Sequence, residues 1–448
     1  MAGIAGIAHS GKRGQVDGML EKIAHRGPAG REIVETDEAT LGVEWTKPQE
    51  RSRANLRRDY IARDYVDDGH FARAQATDDG LVLTRDRMGV APLYYGRTED
   101  GLLCFASEVK AMLEVTRDVH AVPAGHRRQG GRTQRYYHLR KQIPVDEPAK
   151  RIAKQLRRRL ASAVKRCIAA DHAVGSWLSG GLDSSAMAAL ARPHVAKLHT
   201  FASGFPGSPD VEHAREVADF IKSEHHEVLV GVDDLLAALP DAIYHLESFD
   251  ALLVRSSITN YLVAKRASDY VAAVFSGEGG DELFAGYDYL KSLDPAALPD
   301  ELIDIAGRLQ NTALQRVDRC ASAHGTMAHV CFLDPQVADY ALCIPAKFKL
   351  RDGVEKWILR EAMRGSLPER VLNRTKAKFW EGAGVGELMA QHAEAQIADD
   401  EFSRERALPD GSTLNSKEEL MYYRIFREHF GDLDNLSWMG RTKGAPRQ

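Results

Sequence analysis

The chain has 448 residues, 44% of them apolar and 28% charged, with a formal charge of −4. That is enough for two domains, or one elaborate one, each closing its own hydrophobic core. The slightly acidic balance argues against a nucleic-acid partner, because proteins that neutralise phosphates carry a basic surface.

Residues 1 to about 140 read as short strands broken by glycine, proline and charge. "GLVLTRDRMGVAPLYYG" (80–96) and "GLLCFASE" (101–108) are strands joined by turns, and "PAGH" (123–126) is a further turn. The basic clusters "RSRANLRRD" (51–59) and "KQLRRRL" (154–160) read as solvated helix faces. From about residue 150 the pattern changes. "AKRIAKQLRRRLASAVKRCIAADH" has helical spacing, and apolar strands then alternate with amphipathic helices. The expected strands are 173–179, 198–205, 225–231 and 270–277, with helices over 211–224 and 234–248. Such βαβ alternation predicts a parallel sheet with helices on both faces, and ligands at the carboxyl ends of its strands. The last hundred residues are mainly helical.

"SWLSGGLDSSAMAAL" (176–190) carries the strongest chemical signal. An apolar strand (ending at Leu178) runs into Ser179, Gly180, Gly181, Asp183, Ser184 and Ser185, and a helix follows at once. Two glycines let backbone N–H groups turn toward an anion, and a helix N-terminus adds its positive dipole end. Asp183 repels phosphate, so its expected task is to hold a magnesium ion bridging phosphates. There is no lysine of the GxxxxGK[ST] type, so the expectation is a PP-loop that splits ATP into AMP and pyrophosphate. "VFSGEGGDELFAGY" (274–287) repeats the design, with Asp281 as the second magnesium ligand and Glu278, between glycines, able to approach a reacting centre.

SGGLDSS, "FASGFPGSPD" (201–210), "IYHLESFDALLVRSS" (243–257), SGEGGDELFAGY, "VCFLDPQVADYAL" (330–342) and "RTKAKFWEGAGV" (374–385) occur in order over residues 150 to about 430. Together they resemble the synthetase domain of the glutamine-hydrolysing asparagine synthetase B family. The resemblance implies an ATP pyrophosphatase domain over 150–448, preceded over 1–145 by a remnant of the family's Ntn-hydrolase-like β-sandwich. It implies activation of a carboxylate as an acyl-adenylate and transfer to an amine. Asp183 and Asp281 would bind magnesium, the SGG backbone would cradle pyrophosphate, and Ala202 and Gly277 would lie near adenosine. Glu278 would receive the amine and accept its proton. Lys376 matches a lysine that stabilises charge at the reacting centre, an effect of about 3–4 kcal/mol for one preorganised group; Lys378 is the runner-up.

In that family the first domain hydrolyses glutamine with a cysteine exposed by removal of the initiator methionine. Here Ala2 stands at that position and has neither thiol nor hydroxyl. "AHRGPAG" (24–30) is kept, and the resemblance places Arg26 on the glutamine carboxylate. A short segment over 42–70 replaces a longer one, and neither an NGEIYN-like nor a GSD-like segment is found. The expectation is a domain without glutaminase activity. The acceptor pocket departs from the family too: Leu252 and Leu253 stand where threonines are expected. Arg255 either forks onto a substrate carboxylate, with Gly279 and Asp281 close by, or pairs with Asp250 or a nearby glutamate. Met327 and His329 replace charged residues, which puts aspartate in doubt as the acceptor. β-Lactam synthetases carry a tyrosine at the place of Glu278, so the glutamate favours attack by a separate amine.

The five cysteines form no CxxC pair, which fits reduced thiols, and no apolar run reaches the roughly eighteen residues of a membrane span. The N-terminus lacks a signal peptide's charged and apolar regions. The expectation is a cytoplasmic, magnesium- and ATP-dependent ligase acting on a small carboxylate and an amine. It would have no membrane or nucleic-acid partner and would form a homodimer, with the amine arriving free or from a partner or carrier protein.

Overall fold

A computed structural model describes residues 3–46, 61–64, 69–170, 173–374 and 385–442. The first half builds two antiparallel sheets. One has the order β2-β3-β1-β8-β7-β9, from β1 (Ile4–Ile7), β2 (Gly30–Glu35), β3 (Thr40–Trp45), β7 (Tyr94–Arg97), β8 (Leu103–Ala106) and β9 (Val119–Ala121). The other has the order β11-β10-β6-β5-β4, from β4 (Ile61–Asp64), β5 (Ala72–Thr77), β6 (Gly80–Arg85), β10 (His126–Gln129) and β11 (Arg132–Arg135). Ile4, Leu41, Val43, Leu81, Leu83, Leu93 and Phe105 are buried together in one apolar cluster drawn from both sheets, the expected result of alternating side chains on facing sheets.

The second half is a parallel sheet in the order β14-β13-β12-β15-β16: β12 (Val174–Trp177), β13 (His199–Gly204), β14 (Glu224–Leu229), β15 (Ala273–Phe275) and β16 (Met327–His329). Helices Leu182–Ala191, Pro209–Ile221, Val232–Leu246 and Ala251–Ser268 connect its strands. The short edge strand β16 pairs Phe275 with His329 and was not expected from the sequence; three residues give too little alternation to be read. The order reverses direction at β12, so the crevice between the carboxyl ends of β12 and β15 is the switch point where such sheets bind ligands. The strands ending there are the two that run into the glycine loops. Val174, Phe201, Val274 and Phe275 of the sheet belong to one buried core with Leu156, Leu160, Met187 and Ile258 of the helices and with Ile7, Val16 and Met112 of the first half. No helix among the described residues is long and apolar enough to cross a membrane.

Candidate active site

After β12 the chain turns at Gly180 (φ 69°) and enters helix Leu182–Ala191. A side chain at Gly180 would put a Cβ 2.5 Å from that of His213 and 2.6 Å from the Ala214 amide nitrogen, so only glycine lets the loop lie against helix Pro209–Ile221. Ser184 Oγ donates to the Gly181 carbonyl (3.2 Å), lies 3.0 Å from Ser179 Oγ and accepts the Ser179 N–H (3.2 Å), holding the turn as a closed unit. Leu178 donates its N–H to the Phe201 carbonyl (2.8 Å) and fixes the loop to β13, where Ala202 is buried next along the strand. Ser185 Oγ is buried without a hydrogen-bond partner among the described residues.

The second loop leaves β15 and closes on the first. A Cβ at Gly277 would stand 2.8 Å from the Ser184 nitrogen, and one at Gly280 would stand 2.5 Å from Asp183 Cγ. The glycines of SGEGGDE therefore let two backbone loops touch. Gly279 (φ 92°) precedes the short helix Gly280–Phe284, which carries Asp281.

Lys356 joins the two loops, and sequence reading missed it. Its Nζ lies 2.5 Å from Asp183 Oδ2 and 2.5 Å from Asp281 Oδ1, in a buried position. Burial alone would lower the ammonium's pKa, but the two carboxylates overcome this and hold it well above the ordinary lysine range. A cation is thus clamped between the two aspartates that the sequence assigns to magnesium. Two carboxylates sharing one cation suit a small hard ion that takes its other ligands from phosphates and water, and the donor set fits magnesium. Nothing in "DGVEKWILR" (352–360) distinguishes Lys356 from a surface lysine.

Glu278 is bonded to Arg316 Nη2 from helix Ala313–Ser322, a second partner that sequence reading did not find. Arg255 takes the second of its two expected readings. Its Nε donates to Glu418 Oε1 at 2.7 Å and Nη2 bonds the other oxygen, so the fork is spent on this chain's own carboxylate. The partner is not Asp250, which instead caps helix Ala251–Ser268 through the Leu253 N–H (2.9 Å). Leu253 is buried in the core and Leu252 is half-buried. Lys376 and Lys378 lie outside the described residues, as does Ala2. Arg374, just before the first two, donates to Asp210 at 2.5 Å, at the start of the helix that supports Gly180.

Arg26 requires a correction. It is fully buried, and its guanidinium donates to Glu108 (2.8 Å), Asp64 (2.9 Å) and both carboxylate oxygens of Asp318 (2.8 and 3.0 Å). Asp318 belongs to the second half, so the arginine expected to hold a glutamine carboxylate instead ties the two halves together. Arg319 extends the cluster to Glu247 (3.1 Å) and the Ser107 carbonyl (3.2 Å). Close to Gly3, burial pushes Glu44 up to about 8, only partly offset by Arg31.

Two glycine loops thus meet at the switch point of a parallel sheet around paired aspartates and a clamped lysine, and together with the family matches that follow they make this an ATP-dependent, AMP-forming carbon–nitrogen ligase. The asparagine synthase family model matches residues 155–301 and 294–443, and a glutamine amidotransferase domain model matches 66–130. Asparagine synthetase B of Escherichia coli is 34% identical over 80% of this chain and 69% of its own. Asparagine synthetase 2 of Arabidopsis thaliana is 34% identical over 81% of this chain and 67% of its own. Among solved structures, NMN synthetase from Francisella tularensis overlays on 64% of this chain and 98% of its own, with 13% identity and a TM-score of 0.30, too slight a likeness to add to the assignment. The chain belongs to the asparagine synthase family.

Proposed function

We propose that this protein adenylates a small carboxylate with MgATP, releases pyrophosphate, and passes the acyl group to ammonia or another amine without hydrolysing glutamine. The meeting of the SGGLDSS and SGEGGDE loops around Lys356 carries this reading. The Gly180–Gly181 turn and the N-terminus of helix Leu182–Ala191 offer amides to the pyrophosphate. Asp183 and Asp281 would hold magnesium, which would supply charge neutralisation at the phosphates, and Lys356 beside them would add positive charge on the pyrophosphate side. Lys376 stabilises the reacting centre. Glu278 receives the amine, and Arg316 keeps its carboxylate aimed until the amine arrives. Residues 1–145 form a retained but inactive glutaminase-like domain, and 150–448 the synthetase domain. Ala2, together with the commitment of Arg26 to Asp318, supports the loss of glutamine hydrolysis. Leu252 and Leu253, with Arg255 occupied by Glu418, favour an acceptor other than aspartate, in specialised metabolism.

The test is pyrophosphate release from MgATP across a panel of carboxylic and amino acids, with ammonia or with glutamine. Release that depends on one acid, with ammonia effective and glutamine inert, is the expected result. Glutamine working as well as ammonia would overturn the loss of glutaminase, and silence across a broad panel despite ATP binding would favour a non-catalytic nucleotide binder. Glu278→Gln is expected to keep adenylate formation and lower amide release by about 100-fold, the low end of general-base effects. Equal loss of both steps would remove Glu278 from the amine step.

A further inference from the structure

Behind the Glu278 loop two cysteines from distant parts of the chain face each other. Cys167 near the end of helix Ala149–Ala170 and Cys331 in the turn after β16 have sulfurs 3.8 Å apart. Cys167 is partly exposed, whereas Cys331 is 2% exposed. We propose that this pair is an oxidisable dithiol whose disulfide alters the loop carrying Glu278.

The chemistry needs an activated thiol with a resolving thiol within reach, and the 3.8 Å sulfur pair supplies that geometry. The hydrogen bond with Cys331 and the nearby imidazole of His329 draw the Cys167 thiol well below its ordinary range, against the effect of burial. The same hydrogen bond and burial push Cys331 up. Low-pKa, accessible thiols beside a resolving cysteine are the ones that peroxides oxidise. The Cys167 thiolate attacks one peroxide oxygen, giving a sulfenic acid and hydroxide, which takes up a proton to become water. Cys331 then attacks the sulfenic sulfur, the S–S bond forms and a second water leaves. The balance is two thiols plus hydrogen peroxide giving one disulfide and two waters.

The consequence follows from what the Cys331 turn touches. Phe332 and Leu333 press against Gly279, where an added Cβ would meet Leu333 Cδ2 at 2.6 Å and Phe332 Cβ at 3.2 Å. The His329 carbonyl accepts the Ser276 N–H at 2.9 Å, and the Leu333 carbonyl lies 3.0 Å from His70 Nε2 of the first half. A disulfide sulfur separation is about 2.05 Å, so bonding closes the remaining gap and ties the turn covalently to the helix. Gly279 is seated on that turn, so the constraint reaches the loop that carries Glu278.

The experiment treats the full-length protein with hydrogen peroxide, maps linked peptides by mass, and follows amide hydrogen exchange over 274–287. Neither readout depends on knowing the substrate. The expected result is a Cys167–Cys331 link two hydrogens lighter than the dithiol, and an exchange change of about threefold over that segment. Dithiothreitol should reverse both, and Cys167→Ser and Cys167→Ala should show neither. No link in the wild type, a link with unchanged exchange over 274–287, or the same exchange response in both Cys167 variants would overturn the proposal.

Discussion

Lys356 sits 2.5 Å from a carboxylate oxygen of each of Asp183 and Asp281, and all three belong to different segments of the chain. Removing the ammonium leaves two crowded acidic groups without the cation they share, in a largely water-excluded place. Lys356→Met is therefore expected to destabilise the protein by about 3–5 kcal/mol, the usual result of removing one partner from a buried ion pair. Magnesium supplies what the variant lacks, so its melting temperature should climb with added magnesium much further than that of the wild type. Equal responses in thermal melts would mean that the aspartates do not hold magnesium. Gly286 shows how tightly this group is built, since a Cβ there would fall 1.9 Å from Asp281 Oδ1 and 2.2 Å from Lys356 Cε.

The two loops work as elements because each strand delivers its turn to the same edge of the sheet. β12 pairs with β15 in parallel (Val174 with Ala273, Ser176 with Phe275), so both chains leave at one level. The first loop then depends on Gly180, which needs both its positive φ and the missing Cβ. Gly180→Ala adds strain and a clash with helix Pro209–Ile221, and is expected to weaken MgATP binding by about tenfold or more. Calorimetric titration measures this, with Gly14→Ala as control because its Cβ meets nothing. The loops were legible in the sequence because glycines clustered between an apolar strand and a helix leave a local signature. The edge strand β16 and the partners Arg316 and Glu418 leave none, since their meaning depends on which distant segment faces them.

At the scale of the whole molecule, the N-terminal sheets are joined to the parallel-sheet half by buried charge as well as apolar contact. Arg26, Glu108 and Lys110 from the first half meet Glu247, Asp318 and Arg319 from the second. Burial by itself would raise the Glu108 pKa, but Lys110, His25 and Arg319 bring it well below the carboxylate range. Arg26→Met strands Asp64, Glu108 and Asp318 without their shared cation and is expected to cost about 3–5 kcal/mol. A lowered urea midpoint checks this, and an unchanged midpoint would deny the cluster a structural role. Such a joint makes the N-terminal sheets part of what holds the second half in place.

The sequence by itself determined the parallel-sheet class, the two glycine loops and their aspartates, because each is written in neighbouring residues whose backbone preferences act locally. It placed strands β12 to β15 within a few residues of where they lie, since apolar runs between turn signals are also local. Only the tertiary structure decided that Lys356 bridges the aspartates, that Arg26 serves the joint between halves, that Arg255 is taken by Glu418 and that Cys167 faces Cys331. Each of these is a pairing across 75 or more residues of chain, and a charge or thiol acquires its role from the group that folding brings against it.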